Sequence, residues 1–195
     1  MCSPRSMLTL RTAEGLLGRD TSPIPPAAPD APFHIVFLDR DGTLNRHRPG
    51  YVTRAADLDV LPDAPAAVRQ LNDAGCRVVL VTNQRGLATH DLTESQLVEV
   101  HQGLVDALAA EGAHLDAIQV CPHGKGTCLC RKPLPGLFEQ ALARAPWARP
   151  ERCATLGDQA TDLEPAQGLG MRVQQVGEGF ASLPEAVRSL LRPPI

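Results

Sequence analysis

Aromatic residues are scarce in this chain of 195 residues, and Phe, Trp and Tyr together make up only 3% of it. Proteins that bind single-stranded nucleic acids stack the bases on aromatic side chains. The formal net charge is -3, whereas proteins that bind a phosphate backbone carry a basic patch or stripe. The composition therefore argues against a nucleic-acid partner.

A long uninterrupted apolar segment is also missing. Near the amino terminus, any candidate signal core is interrupted by the charged residues Arg11, Glu14, Arg19 and Asp20. We therefore expect no membrane association and a cytoplasmic location. The length fits one domain with a substantial core, which we expect to be a monomer.

Residues 1–32 show little sign of regular structure. The prolines at positions 23, 25, 26, 29 and 32 deny a regular helix or strand, and Ala, Ser and Thr fill the gaps between them. We expect a disordered Pro-rich tail over 1–32, in which residues 8–17 form a helical turn only if something packs on them. A single domain is expected over 33–195.

Apolar runs alternate with helical patterns along this domain. The expected strands are residues 33–38, 77–82, 117–121, 154–157 and 171–176. The expected helices begin at Asp63, at a capping box of Thr93 and Gln96, near Pro135 and at Ser182. This alternation predicts an α/β fold with a doubly wound, mostly parallel sheet that is covered on both faces.

Polar residues stand where several expected strands end. Asp39 and Asp41 follow the first strand, Thr82 and Asn83 end the second, and Asp158 follows the fourth. Because ligands of parallel α/β sheets bind at the carboxyl ends of the strands, the pattern predicts a functional site at this edge.

The pair Asp39 and Asp41, in Asp-x-Asp-Gly-Thr, suits phosphoryl transfer through a covalent intermediate. One carboxylate attacks phosphorus, and the second protonates the leaving oxygen and later deprotonates water. The alternative is a polar turn that carries two solvated aspartates.

A cluster of soft ligands elsewhere in the sequence predicts a metal site. Three cysteines and one histidine in ten residues match a closed tetrahedral Zn²⁺ site, with the ligands Cys121, His123, Cys128 and Cys130. Buried unligated cysteines are the alternative, but the intervening Gly-Lys-Gly-Thr loop has little apolar content. No role is assigned to the remaining cysteines or to the other histidines, which are His34, His47, His90, His101 and His114.

Together these motifs resemble the haloacid dehalogenase superfamily of aspartate-based phosphatases, from Phe33 to Val176. The resemblance implies a Rossmann-like fold, with Asp39 as nucleophile and Asp41 as general acid and base. It implies a Mg²⁺ ion bound by the Asp39 carboxylate, the Asp41 backbone carbonyl and Asp158. It also implies a set of residues that hold the phosphoryl group: Thr82, Asn83 and Lys132.

Two further residues have competing interpretations. Asp162 would orient Lys132 or a metal-bound water in such a family member, or it is a carboxylate favoured by the dipole of a helix amino terminus. Arg131 would bind a second anionic group of the substrate, or it faces solvent. The short loops after Asn45 and Gln84 leave room only for a minimal cap.

The zinc loop narrows the resemblance to two related groups, the D-glycero-D-manno-heptose 1,7-bisphosphate phosphatases and the histidinol-phosphate phosphatases. Gly-Tyr-Val at 50–52 and the Arg-Lys-Pro-x-Pro-Gly segment are similar to the heptose enzymes. The short loop between His123 and Cys128 is similar to the histidinol enzymes, and Arg85 departs from the heptose pattern. We expect a heptose 7-phosphatase, with histidinol phosphate and a non-catalytic, zinc-stabilised binding module as alternatives.

Overall fold

The computed structural model describes residues 10–177 and 179–192, which form a five-stranded parallel sheet between two layers of helices. The strands are β1 (Ile35–Leu38), β2 (Arg77–Asn83), β3 (Ala117–Cys121), β4 (Cys153–Gly157) and β5 (Arg172–Gln175). The helices are α1 (Ala13–Leu16), α2 (Ala64–Asp73), α3 (Gly86–Thr89), α4 (Glu94–Ala110), α5 (Gly136–Ala143), α6 (Ala160–Gly168) and α7 (Leu183–Leu191). Short 3₁₀ helices cover Ala55–Asp57 and Pro150–Arg152.

The sheet has the order β3-β2-β1-β4-β5, so the strand that precedes the two aspartates is central. All four residues of β1 are buried, and they alternate between the two faces. Val36 and Leu38 join the core beneath α2, α4 and α7, whereas Ile35 and Phe37 join the core beneath α5 and α6. The predicted doubly wound α/β fold is confirmed.

The helix signals in the sequence correspond to real helices with small differences. Thr93 and Gln96 form the expected capping box at the start of α4. Asp63 precedes α2 but makes no capping hydrogen bond through its side chain. A helix amino terminus at Asp162 was one of the two interpretations of that residue, but the extent of α6 was not predicted, because Pro165 lies inside it and its nine residues show little helical periodicity.

We call residues 10–32 the amino-terminal strap. We expected these residues to be disordered, but in the structure they pack against the domain. The apolar residues of the strap are buried against the domain, among them Leu10, Leu16, Leu17, Ile24 and Ala31. Prolines prevent regular structure but not packing, and side chains of the domain supply the missing backbone partners. Trp147 donates to the Ile24 carbonyl at 2.9 Å, and the Nε of Arg77 donates to that of Pro26 at 2.9 Å. The part of the expected tail over residues 1–9 lies outside the described residues.

The connections at the carboxyl edge of the sheet are short. Between β1 and α2 there is a loop with a single 3₁₀ helix, and between β2 and β3 there are only α3, α4 and their turns. Within the described ranges, no helix combines the length and the apolar character that crossing a membrane requires.

Candidate active site

The strand-end residues meet in one cleft of about 290 Å³ at the carboxyl edge of the sheet. Asp39 enters it from the end of β1, Thr82 and Asn83 from β2, and Asp158 from β4. Lys132 reaches the same cleft from the loop that precedes α5. The convergence expected from the strand order is therefore present.

Lys132 is buried and lies between two carboxylates. Its Nζ is 2.6 Å from Asp39 Oδ1 and 2.7 Å from Asp162 Oδ1, and it donates a hydrogen bond to the Val81 carbonyl at 2.8 Å. A buried ammonium needs such partners to remain charged. These three contacts hold one positive charge directly beside the predicted nucleophile.

The contacts of Asp162 fit both interpretations of its role. One carboxylate oxygen pairs with Lys132, and the other accepts the backbone N–H of Gln159 at 3.1 Å, which closes a capping box at the start of α6. The helix therefore fixes the carboxylate, and the carboxylate orients the lysine.

The nucleophile candidate Asp39 lies in a strongly anionic environment. Burial raises the pKa of its carboxyl to about 7 even though the Lys132 ammonium lowers it, and the nearby charges of Asp162 and Asp41 add to the rise. Ionised Asp39 thus needs more positive charge than Lys132 alone supplies.

Asp41 has different partners, although it stands only two residues further on. Arg40 donates to both of its carboxylate oxygens, at 3.0 and 2.8 Å, and Asn45 and Gln84 donate at 3.0 and 3.3 Å. Burial raises the pKa of this carboxyl, but the Arg40 charge and these hydrogen bonds outweigh burial, so the net pKa is lowered. The two aspartates therefore have pKa values shifted in opposite directions, which in the free protein favour a protonated Asp39 and an ionised Asp41. A nucleophile must be ionised and a proton donor protonated, so a cation beside Asp39 and a bound phosphate beside Asp41 would have to reverse these states.

Asn83 does not contact the cleft in the way that we expected of a phosphate ligand. Its side-chain amide donates to the Lys132 carbonyl and its oxygen accepts from the Lys132 N–H, both at 3.1 Å. Asn83 therefore holds the backbone of Lys132. The Thr82 hydroxyl accepts from Gln84 at 2.8 Å, which leaves its hydrogen free to donate to a phosphoryl oxygen.

Three carboxylates can hold a cation in this cleft. Asp39, Asp158 and Asp162 each offer an oxygen, and these oxygens lie within 4.8 Å of one another. Asp158 Oδ1 is buried and has no hydrogen-bond partner among the described residues, and burial raises the pKa of this carboxyl. Hard oxygen ligands around an uncompensated negative charge fit Mg²⁺.

The predicted zinc ligands also come together. The sulfurs of Cys121 and Cys128 are 3.6 Å apart, those of Cys128 and Cys130 are 3.5 Å apart, and His123 Nδ1 is 3.2 Å from the Cys130 sulfur. Ligands at about 2.1–2.3 Å from a tetrahedral Zn²⁺ are separated by about 3.5–3.8 Å, which is close to these distances. The four residues thus fit one zinc ion with no position left open.

Comparison with known proteins agrees with this geometry. Residues 29–170 match the family model of the haloacid dehalogenase-like hydrolases. The chain belongs to this family. The region that matches contains β1 to β4 and every predicted site residue, so the family assignment covers the whole candidate site.

Individual members of the haloacid dehalogenase-like family are similar over most of their length. A D-glycero-alpha-D-manno-heptose-1,7-bisphosphate 7-phosphatase of Mycobacterium tuberculosis is 38% identical over 136 residues, 69% of this chain and 72% of that protein. A D-glycero-beta-D-manno-heptose-1,7-bisphosphate 7-phosphatase of Rhodopseudomonas palustris is 37% identical over 153 residues, 74% of this chain and 83% of that protein. The crystal structure of D,D-heptose 1,7-bisphosphate phosphatase from B. bronchiseptica, complexed with magnesium and phosphate, superimposes with a TM-score of 0.74 at 32% identity. It covers 80% of this chain and 97% of that one.

Three residues at the site were not predicted from the sequence. Arg40, Asn45 and Gln84 all hold Asp41, and Gln84 also contacts Thr82. Each lies within four residues of a predicted site residue, so proximity to the motif was the available signal. Arg131 lines the same cleft, and one of its terminal nitrogens is buried without a hydrogen-bond partner among the described residues.

Replacement of Gly42 by Ala is expected to weaken the cation site. Gly42 has φ +90°, and a Cβ atom there would lie 2.2 Å from Asp158 Oδ2, so the carboxylate must move. We expect the Mg²⁺ concentration for half-maximal activity to rise about ten-fold or more, the range seen when groups supporting a metal ligand are lost. A Mg²⁺ titration of phosphate release measures this.

Gly50→Ala is the matched control for this substitution. Gly50 has a similar φ of +82° but no atom within 4 Å of an added Cβ, so it shares the backbone strain of about 1–2 kcal/mol without touching Asp158. An equal rise in the Mg²⁺ requirement of the two variants would contradict this interpretation of Gly42.

Proposed function

We propose that this chain is a Mg²⁺-dependent phosphatase that removes the 7-phosphate of D-glycero-D-manno-heptose 1,7-bisphosphate through an aspartyl-phosphate at Asp39. The observation that carries the proposal is the position of Asp39 within the carboxylate cluster and directly beside the ammonium of Lys132, with Asp41 held separately two residues on. The heptose bisphosphate phosphatase names of the similar proteins support the substrate.

In the first step, a carboxylate oxygen of Asp39 attacks the phosphorus of the 7-phosphate. The bond between phosphorus and the sugar oxygen breaks, and that oxygen takes the proton of Asp41. Although the pKa of Asp41 is lowered in the free protein, the negative charge of a bound phosphate favours the protonated carboxyl. The products are the heptose 1-phosphate and a phosphorylated Asp39.

In the second step, Asp41 accepts a proton from a water molecule, and the resulting hydroxide attacks the phosphorus of the aspartyl-phosphate. Phosphate leaves and the Asp39 carboxylate is restored, so one carboxyl serves as both acid and base. Asp41 must keep the same orientation when it gives its proton to the leaving oxygen and when it takes a proton from water. The hydrogen bonds from Arg40, Asn45 and Gln84 provide this orientation.

Cations must offset the repulsion between the Asp39 carboxylate and an anionic phosphate. Lys132 supplies one charge, and the Thr82 hydroxyl is placed to donate to a phosphoryl oxygen. Asp39, Asp158 and the backbone carbonyl of Asp41 would hold Mg²⁺, which supplies further positive charge where negative charge develops on the phosphoryl group.

The second phosphate of the substrate needs its own cation. We propose that Arg131 binds it, because the guanidinium lines the cleft with a terminal nitrogen that has no hydrogen-bond partner among the described residues, and it can bind phosphate in a bidentate manner.

The described cysteines form no disulfide, which supports the expected cytoplasmic location. The monomeric state remains a prediction.

A panel of four phosphate esters tests the proposal. It contains the alpha and beta anomers of the heptose 1,7-bisphosphate, histidinol phosphate and 4-nitrophenyl phosphate, each with saturating Mg²⁺. We expect kcat/KM for at least one heptose anomer to exceed that for histidinol phosphate by on the order of 100-fold, because a phosphate bound by Arg131 contributes a charge-assisted pair.

Arg131→Gln supplies the control for substrate recognition. It should reduce the preference for the bisphosphate while changing turnover of 4-nitrophenyl phosphate, which has one phosphate, much less. A large preference for histidinol phosphate would overturn the proposed substrate. If no ester released phosphate in a Mg²⁺-dependent reaction, the chain would instead be a non-catalytic, zinc-stabilised module.

A further inference from the structure

The amino-terminal strap reaches the active site through one buried histidine. His101 lies on α4, is fully buried, and its Nδ1 is 2.6 Å from the backbone carbonyl of Leu16. Residues 10–28 of the strap precede the part of the chain that matches the family model. A segment outside the family domain therefore supplies a hydrogen-bond partner to a side chain within it.

The partners of His101 define its tautomer. A carbonyl oxygen only accepts, so Nδ1 carries the hydrogen and donates it to Leu16. On the other side of the ring, Nε2 lies 3.2 Å from a terminal nitrogen of Arg40, which only donates. The ring is thus neutral, in keeping with burial and the Arg40 charge, which lower the pKa of His101 to about 3.

Arg40 carries the connection to the catalytic carboxyl. Its side chain is buried, one terminal nitrogen donates to His101, and the other donates to both oxygens of Asp41. The orientation of a planar guanidinium is set by the groups at its two ends. A continuous hydrogen-bonded path therefore runs from the Leu16 carbonyl through His101 and Arg40 to Asp41.

The strap is fastened at this contact and directly after it. The Leu16 side chain is 1% exposed, and Arg19 forms an ion pair with Glu94 at the start of α4. Further along, Asp20 forms an ion pair with Arg144 at 2.6 Å, with both side chains largely buried. These contacts keep the Leu16 carbonyl fixed against His101.

We propose that His101 is a positioning residue for Asp41 and that the strap completes the active site by holding His101. The inference rests on the proposed function in one respect, the role of Asp41 as general acid. It predicts that loss of the path misplaces the proton donor while Asp39, Lys132 and the cation site stay in place. Esters whose leaving oxygen needs a proton must then suffer most.

The test compares two aryl esters of similar shape, phenyl phosphate and 4-nitrophenyl phosphate. Nitrophenolate leaves without protonation, whereas phenolate, like the Tyr side chain with its pKa of about 10, leaves poorly unless it is protonated. In His101→Leu we expect kcat/KM for phenyl phosphate to fall about ten-fold more than for 4-nitrophenyl phosphate, since general acid catalysis typically contributes about 10²- to 10⁴-fold.

Conservative and control variants separate positioning from stability. Gln at position 101 offers both a donor and an acceptor, so His101→Gln should restore most of the rate on phenyl phosphate. Leu108→Ala removes a buried side chain from the same helix, two turns away from His101, and it should affect both esters equally. Should His101→Leu fail to fold, His101→Asn, whose shorter amide cannot span both partners, replaces it.

Leu16→Ala tests the strap itself, because it loosens the segment while it keeps the backbone carbonyl. It should change the ratio of the two esters in the same direction as His101→Leu, by a smaller factor. An unchanged ratio in Leu16→Ala would overturn the role of the strap, and equal losses on both esters in the His101 variants would overturn the role of His101. Neither ester contains the heptose, so a protein that prefers histidinol phosphate would give the same result here.

Discussion

Replacement of Asp39 by Asn is expected to reduce phosphatase turnover at least about a thousand-fold, the scale of loss seen when a covalent nucleophile is removed. The amide has nearly the same shape but cannot attack phosphorus. It also removes one of the three carboxylates of the cation cluster. Loss of the nucleophile and loss of a cation ligand act on the same step.

The fold should survive this substitution. Lys132 keeps its pair with Asp162 and its bond to the Val81 carbonyl, and removal of one of several close carboxylates relieves repulsion. We therefore expect the thermal midpoint of Asp39→Asn to equal or exceed that of the wild type. Phosphate release from the heptose bisphosphate and from 4-nitrophenyl phosphate, together with thermal unfolding, measures both effects.

Asp59→Asn is the matched control, since it makes the same chemical change at an exposed ion pair with Arg46. Exposed pairs contribute little to stability, so this variant should match the wild type in both measurements. Undiminished phosphatase activity in Asp39→Asn would refute the proposed mechanism. A large loss of stability in that variant would instead mean that Asp39 has a structural role.

The sequence allowed the catalytic edge to be predicted because its signals are local. Asp39 and Asp158 directly follow buried strands, and parallel strands bring their carboxyl ends together whatever the lengths of the connections. Lys132 needed the family resemblance, because it lies in an irregular loop. The zinc ligands needed only their spacing and their chemistry.

The partners of Asp41 were harder to predict for a physical reason. Arg40 stands between the two aspartates, but its side chain contacts His101, which is 61 residues away in the chain, on α4. A buried histidine in an amphipathic helix looks like an ordinary core residue, and nothing in its local pattern indicates an active-site contact. Only the tertiary structure, which places His101 of α4 against Arg40 just after β1, reveals the connection.

The strap shows the limit of composition as a signal. Closely spaced prolines favour disorder in general, but disorder also requires too little apolar surface to bury. Leu16 and Ile24 supply that surface, and domain residues such as Trp147 satisfy the backbone groups that the prolines leave without regular partners. The deciding contacts are more than a hundred residues apart in some cases, beyond the reach of local sequence patterns.

Removal of zinc is expected to destabilise the protein strongly. We expect about one equivalent of zinc per chain in freshly purified reduced protein, bound by Cys121, His123, Cys128 and Cys130. Structural zinc contributes about 10–16 kcal/mol of apparent binding free energy in small zinc peptides at neutral pH. In this chain β3 and α5 anchor the two ends of the loop, so we expect zinc removal to cost only part of that free energy. The loss lowers the free energy of unfolding of the whole domain.

Metal analysis and thermal unfolding measure this effect, before and after chelation and in Cys128→Ser. Cys76→Ala is the control, because Cys76 is buried but lies outside the cluster, so this variant should lose some packing and no zinc. Fresh reduced protein without zinc, or Cys128→Ser with undiminished zinc content and stability, would refute the site.

The zinc loop should also affect catalysis, because Cys130 is separated from Lys132 by a single residue, Arg131. A zinc ion bound by the cluster would restrain the loop on one side of Lys132, and the two hydrogen bonds with Asn83 restrain the Lys132 backbone directly. Without zinc, Asn83 and the ion pairs of the Lys132 ammonium still hold Lys132. Arg131 lies between Cys130 and Lys132, so we expect it to be the first residue that loses its position. Chelation below the unfolding temperature should therefore raise KM for the bisphosphate more than KM for 4-nitrophenyl phosphate, and added Zn²⁺ should reverse the change. An equal rise in both KM values would mean that zinc supports the fold without positioning Arg131.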